Sequence, residues 1–151
     1  IIAGADPQFI APLVHLESLE NIPPRWQRRI VALGGENPAE GLRLSKADSR
    51  YIVKVKTALQ SGETTKAMAY KFGADATLDA KFIEAATLGS PVPASLKAEI
   101  LAGEGQILPV TGADLIDRLG KGPQIGVELA RLERIWIDAG FAPNKAELLG
   151  S

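Results

Sequence analysis

Apolar residues recur every three or four positions along almost the whole chain, a spacing typical of amphipathic helices. No segment shows the strict alternation of a half-buried strand. One helix is predicted to begin at Asp6-Pro7, and another is predicted to follow a cap at Asp75. Further helices are predicted over residues 23–33, 45–60, 63–72 and 95–102, and two more are predicted to flank a Gly-Pro turn after residue 111. We therefore expect an all-α fold, with a helical bundle-like body over residues 1–108 and a C-terminal helix-turn-helix tail over residues 109–151.

The composition narrows the class of protein. The chain has 151 residues, 46% of them apolar and 23% charged, as in an ordinary soluble globular protein with a buried core. No apolar run approaches the roughly 18 residues of a membrane span, so we expect no membrane partner and a cytoplasmic location. The lack of cysteine excludes disulfides and thiolate metal sites. Because the chain starts without an initiator Met or a signal-peptide flank, we expect it to be a piece of a longer protein.

The charge is unevenly distributed along this nearly neutral chain. Residues 25–60 carry eight basic and three acidic side chains, a net charge of +5, whereas residues 91–151 carry a net charge of −2. A basic third of this kind can bind a polyanion, although a solvated helix face is an equally ordinary use of such residues. The sequence therefore leaves a polyanion site and a plain solvated surface both open.

Two predicted helices within this basic third each concentrate their cations on one side. On the helix over residues 23–33 the basic side contains Arg25, Arg28 and Arg29, and another side contains Trp26, Ile30 and Leu33. On the helix over residues 45–60, Lys46, Arg50 and Lys54 follow at four-residue intervals, opposite Ile52, Val55 and Leu59. Like charges at this spacing repel by a few tenths of a kcal/mol per pair, so the arrangement favours an anionic partner. Trp26 and Trp136 are predicted to pack in the core rather than to stack on bases.

The Gly-Pro turn offers a second possible anion site. Pro123 suits the first position of a helix, and Gly122 and Gly126 keep side chains away from the first-turn amides. Such amides can hold a phosphate, as in helix-hairpin-helix modules, and Lys121 adds a positive charge. The alternative is a tight turn between two packed helices, with Gly126 allowing their close approach.

The C-terminal segment resembles a known family. Residues 110–149, "VTGADLIDRLGKGPQIGVELARLERIWIDAGFAPNKAELL", are similar to the C-terminal end of the bacterial CCA-adding tRNA nucleotidyltransferase and poly(A) polymerase family. That family combines a (V/L)-x-G-x-D-L segment, a G-P-x-(I/L)-G turn, an L-x-x-L-E-x-x-W-I helix and a following Phe. The matching residues are Val110, Gly112, Asp114, Leu115, Gly122, Pro123, Ile125, Gly126, Leu129, Leu132, Glu133, Trp136, Ile137 and Phe141. The segment "PPRWQRRIVAL", residues 23–33, also looks like a helix from the middle of those chains.

The resemblance implies a role in holding tRNA rather than in catalysis. The family's N-terminal head carries a Gly-Ser signature followed by an Asp-x-Asp pair for two metal ions, and its neck carries Glu-Asp-x-x-Arg. This chain has a Gly-Ser pair at Gly89-Ser90 but no Asp-x-Asp after it, and it has no Glu-Asp-x-x-Arg element. We therefore expect no catalytic residue, no metal and no cofactor in this chain, with Mg²⁺ belonging to the head domain of the parent protein. The expected partners are tRNA and that head domain. The candidate RNA-binding residues are Arg25, Arg28, Arg29, Lys46, Arg50, Lys54, Lys121, Gly122 and Gly126.

Two other functions are compatible with the same sequence. A helical protein–protein or homodimerisation module would set the basic face against acidic residues of its partner. A stand-alone helix-hairpin-helix DNA binder would use the Gly-Pro turn, although only one such hairpin occurs here and these modules are usually paired. His15 is the only histidine and has no evident partner for nucleophilic catalysis.

Overall fold

The structure is a computed structural model that describes residues 2, 4–36 and 38–151. Helices are the only regular secondary structure in these residues, so the predicted all-α fold is confirmed. The chain divides into two compact units, Ile1–Glu104 and Gly105–Ser151. The division falls within residues 103–110, a segment whose sequence is typical of a linker. None of the described helices combines the length and apolar composition needed to span a membrane.

The first unit is a bundle of helices around a central one. In its described part, a 3-10 turn (Pro7–Phe9) precedes α1 (Ile10–Leu19), α2 (Trp26–Leu33), α3 (Pro38–Gly41), α4 (Lys46–Gln60), α5 (Thr65–Phe72), α6 (Ala74–Leu88) and α7 (Leu96–Glu104). Helix α6 is the central element, because it packs against α1, α2, α4, α5 and α7. The largest apolar side chains of this core include Leu13, Ile52, Phe82, Ile83 and Ile100.

Local capping explains most helix boundaries. The Ser45 hydroxyl accepts a hydrogen bond from the Asp48 amide at 3.1 Å and so begins α4, as its Ser-x-x-Asp pattern predicted. Gly73 ends α5 and begins α6 at a φ of 84°, which is why Asp75 lies in the first turn of α6 instead of capping it as expected. Helix α2 begins at Trp26, not at the two prolines, because Arg25 is still extended. The short helix α3 was not predicted.

Helices α5 and α7 approach each other closely at one glycine. A Cβ atom built on Gly103 would lie 2.1 Å from the carbonyl oxygen of Lys66. That separation is far below van der Waals contact, so α7 crosses the backbone of α5 at a point where no side chain fits. Gly103 is buried, and its role is steric, since it sits inside α7 and not at a turn.

The second unit packs three helices around an aromatic pair. These are α8 (Gly112–Leu119), α9 (Gln124–Asp138) and α10 (Lys145–Leu149). Trp136 is 3% exposed and contacts Phe141 edge to face, with ring centroids 4.9 Å apart, so the prediction that Trp136 lies in a core is confirmed. Leu115, Leu132 and Leu148 complete this small core, one from each helix.

Asp114 ties the start of α8 to the start of α10. Its carboxylate accepts hydrogen bonds from the amide and the hydroxyl of Thr111, both at 2.8 Å, in a capping box that the sequence predicted. The same carboxylate lies 2.5 Å from the Nζ atom of Lys145. The hydrogen bond from Lys145, followed by those from Thr111, lowers the pKa of Asp114 from 3.8 to about 2.

This lowered pKa predicts a loss of stability of the second unit in acid. A carboxylate with a depressed pKa in the folded state stabilises the fold fully above its unfolded pKa of 3.8, and this contribution is lost as the pH falls from there to about 2. We expect the thermal midpoint of the second unit to fall over that range, and less so in Asp114→Asn. Fluorescence of Trp136 in a Trp26→Phe background reports this unit alone. Equal acid sensitivity of the Asn variant would contradict the assignment.

Candidate nucleic-acid interface

Arg28, one of the predicted RNA contacts, lies in the core of the first unit. It is 1% exposed, and its guanidinium contacts Asp79 (Nε to Oδ1, 2.7 Å) and Glu17 (Nη1 to Oε1, 2.7 Å) and lies 5.3 Å from the centre of the Phe82 ring. The prediction that Arg28 contacts RNA is therefore wrong, because α1 and α6 enclose the guanidinium and provide its counterions. A buried cation needs such partners, since desolvation without them would be prohibitive.

Arg25 and Arg29 are also engaged with carboxylates, but at the surface. Arg29 contacts Glu17 (Nη2 to Oε2, 2.7 Å), and about a third of its side chain is exposed. Arg25 donates to the hydroxyl of Tyr51 at 2.6 Å and pairs with Asp79 and Asp75 at 3.4 and 3.5 Å. Because each guanidinium already has anionic partners, the predicted row of three arginines presents little free positive charge to RNA. The ion-pair cluster comprises Glu17, Arg25, Arg28, Arg29, Tyr51 and Asp79.

Tyr51 and the two buried acids were not among the sequence-predicted site residues. The Tyr51 hydroxyl donates to Asp79 at 2.6 Å, and burial together with this hydrogen bond raises the pKa of Tyr51 well above its usual value. A signal was available in the sequence, because Asp79 lies between Ala76 and Phe82 on the apolar side of α6. An acid on the buried side of a helix is stable only beside a cation or hydrogen-bond donors, and Arg28 is the buried cation that contacts Asp79.

The basic residues of α4 are placed as the sequence predicted. Lys46, Arg50 and Lys54 are exposed, and none forms an ion pair with a described residue. Ile52 and Val55 face the core on the other side of the helix. At 1.5 Å per residue, the three cations extend over about 12 Å of the helix axis. These three residues are called the basic face below.

The one acid within this stretch forms no ion pair with the three cations of the basic face. The carboxylate of Asp48 accepts hydrogen bonds from the Ser45 hydroxyl at 2.5 Å and from Gln27 Nε2 at 3.0 Å. These two bonds, that from Ser45 first, lower the pKa of Asp48 below its usual value. Asp48 is thus committed to the cap of α4 and to the contact with α2.

A cleft at the other end of the basic face is less suited to an anion. It has a volume of about 430 Å³ and lies between Lys54 and the start of α6. Asp75 and Glu104 line it together with Tyr51, so negative charge is already present there. The outer surface of α4 is therefore the better path for a polyanion.

Trp26 lies on the surface instead of in the core, so that prediction is wrong. The exposed fraction of this residue is 45%, because α2 turns Arg28, Val31 and Ala32 inward and Trp26 lies on the opposite side of the helix. The ion-pair partners of Arg28 thus decide the orientation of α2. The usual preference for burying an aromatic residue over a basic one is overridden.

The Gly-Pro turn is closed by its own hydrogen bonds. The amides of Ile125 and Gly126 donate to the carbonyl oxygens of Gly122 and Pro123 at 3.2 and 3.1 Å. The side chain of Gln124 covers Gly122 and donates to Leu119 O at 2.9 Å. These amides are not free for a phosphate, so the predicted clasp by Gly122 and Gly126 is not supported. Lys121 remains exposed without an ion-pair partner among the described residues.

Gly126 does not serve close helix packing either. A Cβ atom at this position would meet no other atom within 4 Å, whereas one on Gly112 would lie 3.3 Å from a methyl group of Ile125. Gly112 is therefore the glycine at which α8 and α9 meet.

These features define an all-α protein whose first unit carries a basic helix face, without ion-pair partners in the described part of the chain, and a buried ion-pair cluster. No protein-family model, curated protein or solved structure matches this chain. Within the described residues, no three acidic or histidine side chains are grouped so that they could hold a metal ion.

Proposed function

We propose that the chain binds the sugar-phosphate backbone of a folded RNA through the basic face of α4, with Lys121 as a separate contact from the second unit. The observation that carries this proposal is that Lys46, Arg50 and Lys54 are exposed at four-residue intervals without a counterion among the described residues. Phosphates supply the missing negative charge, and binding releases the cations condensed on the RNA.

The resemblance over residues 110–149 supports tRNA as the RNA. We infer that the chain is the body and tail of a tRNA nucleotidyltransferase or poly(A) polymerase-like protein, which positions the RNA for a head domain that uses Mg²⁺. In this proposal the chain itself performs no catalysis. Sequence-independent phosphate contacts suit that task, because a protein that serves many tRNAs must recognise their shared shape.

The number of available cations sets the expected salt dependence. With Arg28 buried and Arg25 and Arg29 paired, the basic face contributes three phosphate contacts. Neutralising three phosphates gives a slope of log affinity against log salt of about −2 to −3. A steeper slope would require contacts beyond the basic face, such as one from Lys121.

Charge reversal on α4 tests the proposal. We expect Arg50→Glu/Lys54→Glu to weaken tRNA binding at least about tenfold at low salt and to flatten the salt slope, because two phosphate contacts become repulsive. The measurement is a titration of tRNA, and of duplex DNA of equal length, across a salt series. Preference for the DNA would favour the helix-hairpin-helix alternative.

A matched control separates the basic face from overall charge. Lys97 is exposed on α7 and forms no ion pair with a described residue. The double reversal Lys66→Glu/Lys97→Glu changes the net charge equally, on α5 and α7, and is expected to leave tRNA affinity within about twofold. Equal losses in both double variants would mean that net charge, and not the basic face, governs binding.

A further inference from the structure

Trp26 is the exposed first residue of α2, a helix that packs against α4. The residues on either side of it contact α4 directly, since Arg25 donates to the Tyr51 hydroxyl at 2.6 Å and Gln27 donates to Asp48 at 3.0 Å. Asp48 and Tyr51 lie within the same two turns of α4 as Lys46 and Arg50. The backbone at Trp26 is therefore anchored to α4 through the residues on both sides, while 45% of Trp26 stays exposed.

This exposure is unusual for the residue type. The other large exposed hydrophobic residues of the described chain are aliphatic, among them Leu19, Leu88 and Ile107. A tryptophan on a well-anchored helix gives a flat and rigid surface that loses little conformational freedom when something stacks on it. A row of cations beside such an aromatic surface has both elements of a site for unpaired nucleic acid, one for the backbone and one for the bases.

We propose that Trp26 stacks on an unpaired nucleobase of the RNA strand whose phosphates contact Lys46, Arg50 and Lys54. This inference rests on the proposed function and adds to it that the bound region includes a nucleotide outside a duplex. Bases inside a helix present no free face to an indole, whereas loop and terminal bases do.

Charge argues against a second copy of the chain as the occupant of this surface. A symmetric dimer through Trp26 would bring the basic face of one protomer toward the same face of its partner. Six cations that have no ion-pair partner among the described residues would then approach each other. A polyanion removes this repulsion, so the indole and the cations favour the same partner.

The test uses the full chain, a short unstructured oligoribonucleotide and a duplex RNA of the same length. Trp26→Ala is expected to weaken binding of the single strand about tenfold and binding of the duplex less than about twofold. Trp26→Phe keeps an aromatic ring and is expected to stay within about threefold of the natural chain. The salt slope is expected to be the same in all three proteins, because stacking neutralises no phosphate.

Intrinsic fluorescence provides a second readout. Trp136 is 3% exposed, so quenching of the emission by the oligoribonucleotide is expected to come from Trp26 and to vanish in Trp26→Phe. Quenching that persists in this variant, or single-strand affinity unchanged in Trp26→Ala, would overturn the inference. Self-association that is lost in Trp26→Ala would also overturn it and assign the surface to a dimer.

The outcomes separate this inference from the proposed function. If Arg50→Glu/Lys54→Glu abolishes binding while Trp26→Ala leaves it unchanged, the stacking role is wrong and the backbone-binding role stands. If the natural chain binds neither RNA at low salt, the proposed function is wrong, and the inference is wrong with it. Thermal unfolding monitored by circular dichroism identifies any variant whose loss of binding reflects loss of the fold.

Discussion

Replacing Arg28 with methionine is expected to destabilise the first unit by about 3–5 kcal/mol, the usual cost of leaving a buried ion pair without one partner. Methionine fills a similar volume, so the loss arises from charge and not from a cavity. Glu17 and Asp79 would stay in the core, where they are 3% and 0% exposed, without their buried cation. Among the described residues, Glu17 keeps only the partly exposed Arg29, and Asp79 keeps only Arg25 and the Tyr51 hydroxyl. Two buried charges with one buried cation fewer must be partly protonated or hydrated, and both responses oppose folding at neutral pH.

Arg29→Met is the matched control for this prediction. Arg29 is the next residue of α2 and contacts the same acid, Glu17, but about a third of its side chain is exposed. Solvent screens this pair, so the expected cost is about 1 kcal/mol or less. Urea denaturation followed by circular dichroism measures both. Equal destabilisation by the two substitutions would contradict the central role of Arg28 in the core.

The same pair of variants distinguishes a structural from an RNA-binding role. At a temperature where Arg28→Met is folded, its tRNA affinity and salt slope are expected to match those of the natural chain, since the guanidinium does not reach the surface. A reduced tRNA affinity of folded Arg28→Met would mean that Arg28 contacts the RNA. A double-mutant cycle between Arg28 and Asp79 measures their coupling, which we expect to exceed that between Arg29 and Glu17.

Gly103→Ala is expected to destabilise the first unit by about 1–3 kcal/mol or more, although alanine normally favours a helix. The new methyl group would lie 2.1 Å from the Lys66 carbonyl oxygen, which belongs to the backbone of α5 and cannot rotate away. Helices α5 and α7 must therefore separate, and the buried Ala67, Ala69 and Ile100 lose contacts.

Gly126→Ala makes the same chemical change where there is room for it. No atom lies within 4 Å of the added carbon, and the residue is in the first turn of α9. We expect this variant to be as stable as the natural chain or more stable by up to about 1 kcal/mol. Thermal melts of both variants provide the comparison, and a Gly103→Ala protein as stable as the natural one would show that α7 can shift without cost.

Most helix positions could be predicted from the sequence, because the groups that begin each helix lie close together along the chain. Ser45 and Thr111 begin helices through side-chain and backbone groups within three residues, so a short window of sequence contains the whole interaction. The spacing of Ile52 and Val55 likewise identified the buried side of α4, and with it the exposed position of Lys46, Arg50 and Lys54. That part of the candidate interface needed no tertiary information.

The orientation of α2 could not be read in the same way. A pattern of apolar spacing assigns Trp26 to the core and Arg28 to the surface, and both assignments are reversed. The partners of Arg28 are 11 and 51 residues away in sequence, on α1 and α6. Only their convergence in space makes burial of a guanidinium favourable. The exposed Trp26 is a consequence of that convergence.

By itself, the sequence determined the all-α class, most helix boundaries and the cations of α4, because each of these depends on residues within a few turns of one helix. Only the three-dimensional structure decided that Arg25, Arg28 and Arg29 are engaged by acids, that Gly103 has no room for a side chain, and that the Gly-Pro turn uses its own amides. In the first two cases the physical reason is that burial and ion pairing depend on which distant groups meet. In the third, the conformation of the turn decides which local groups are left free.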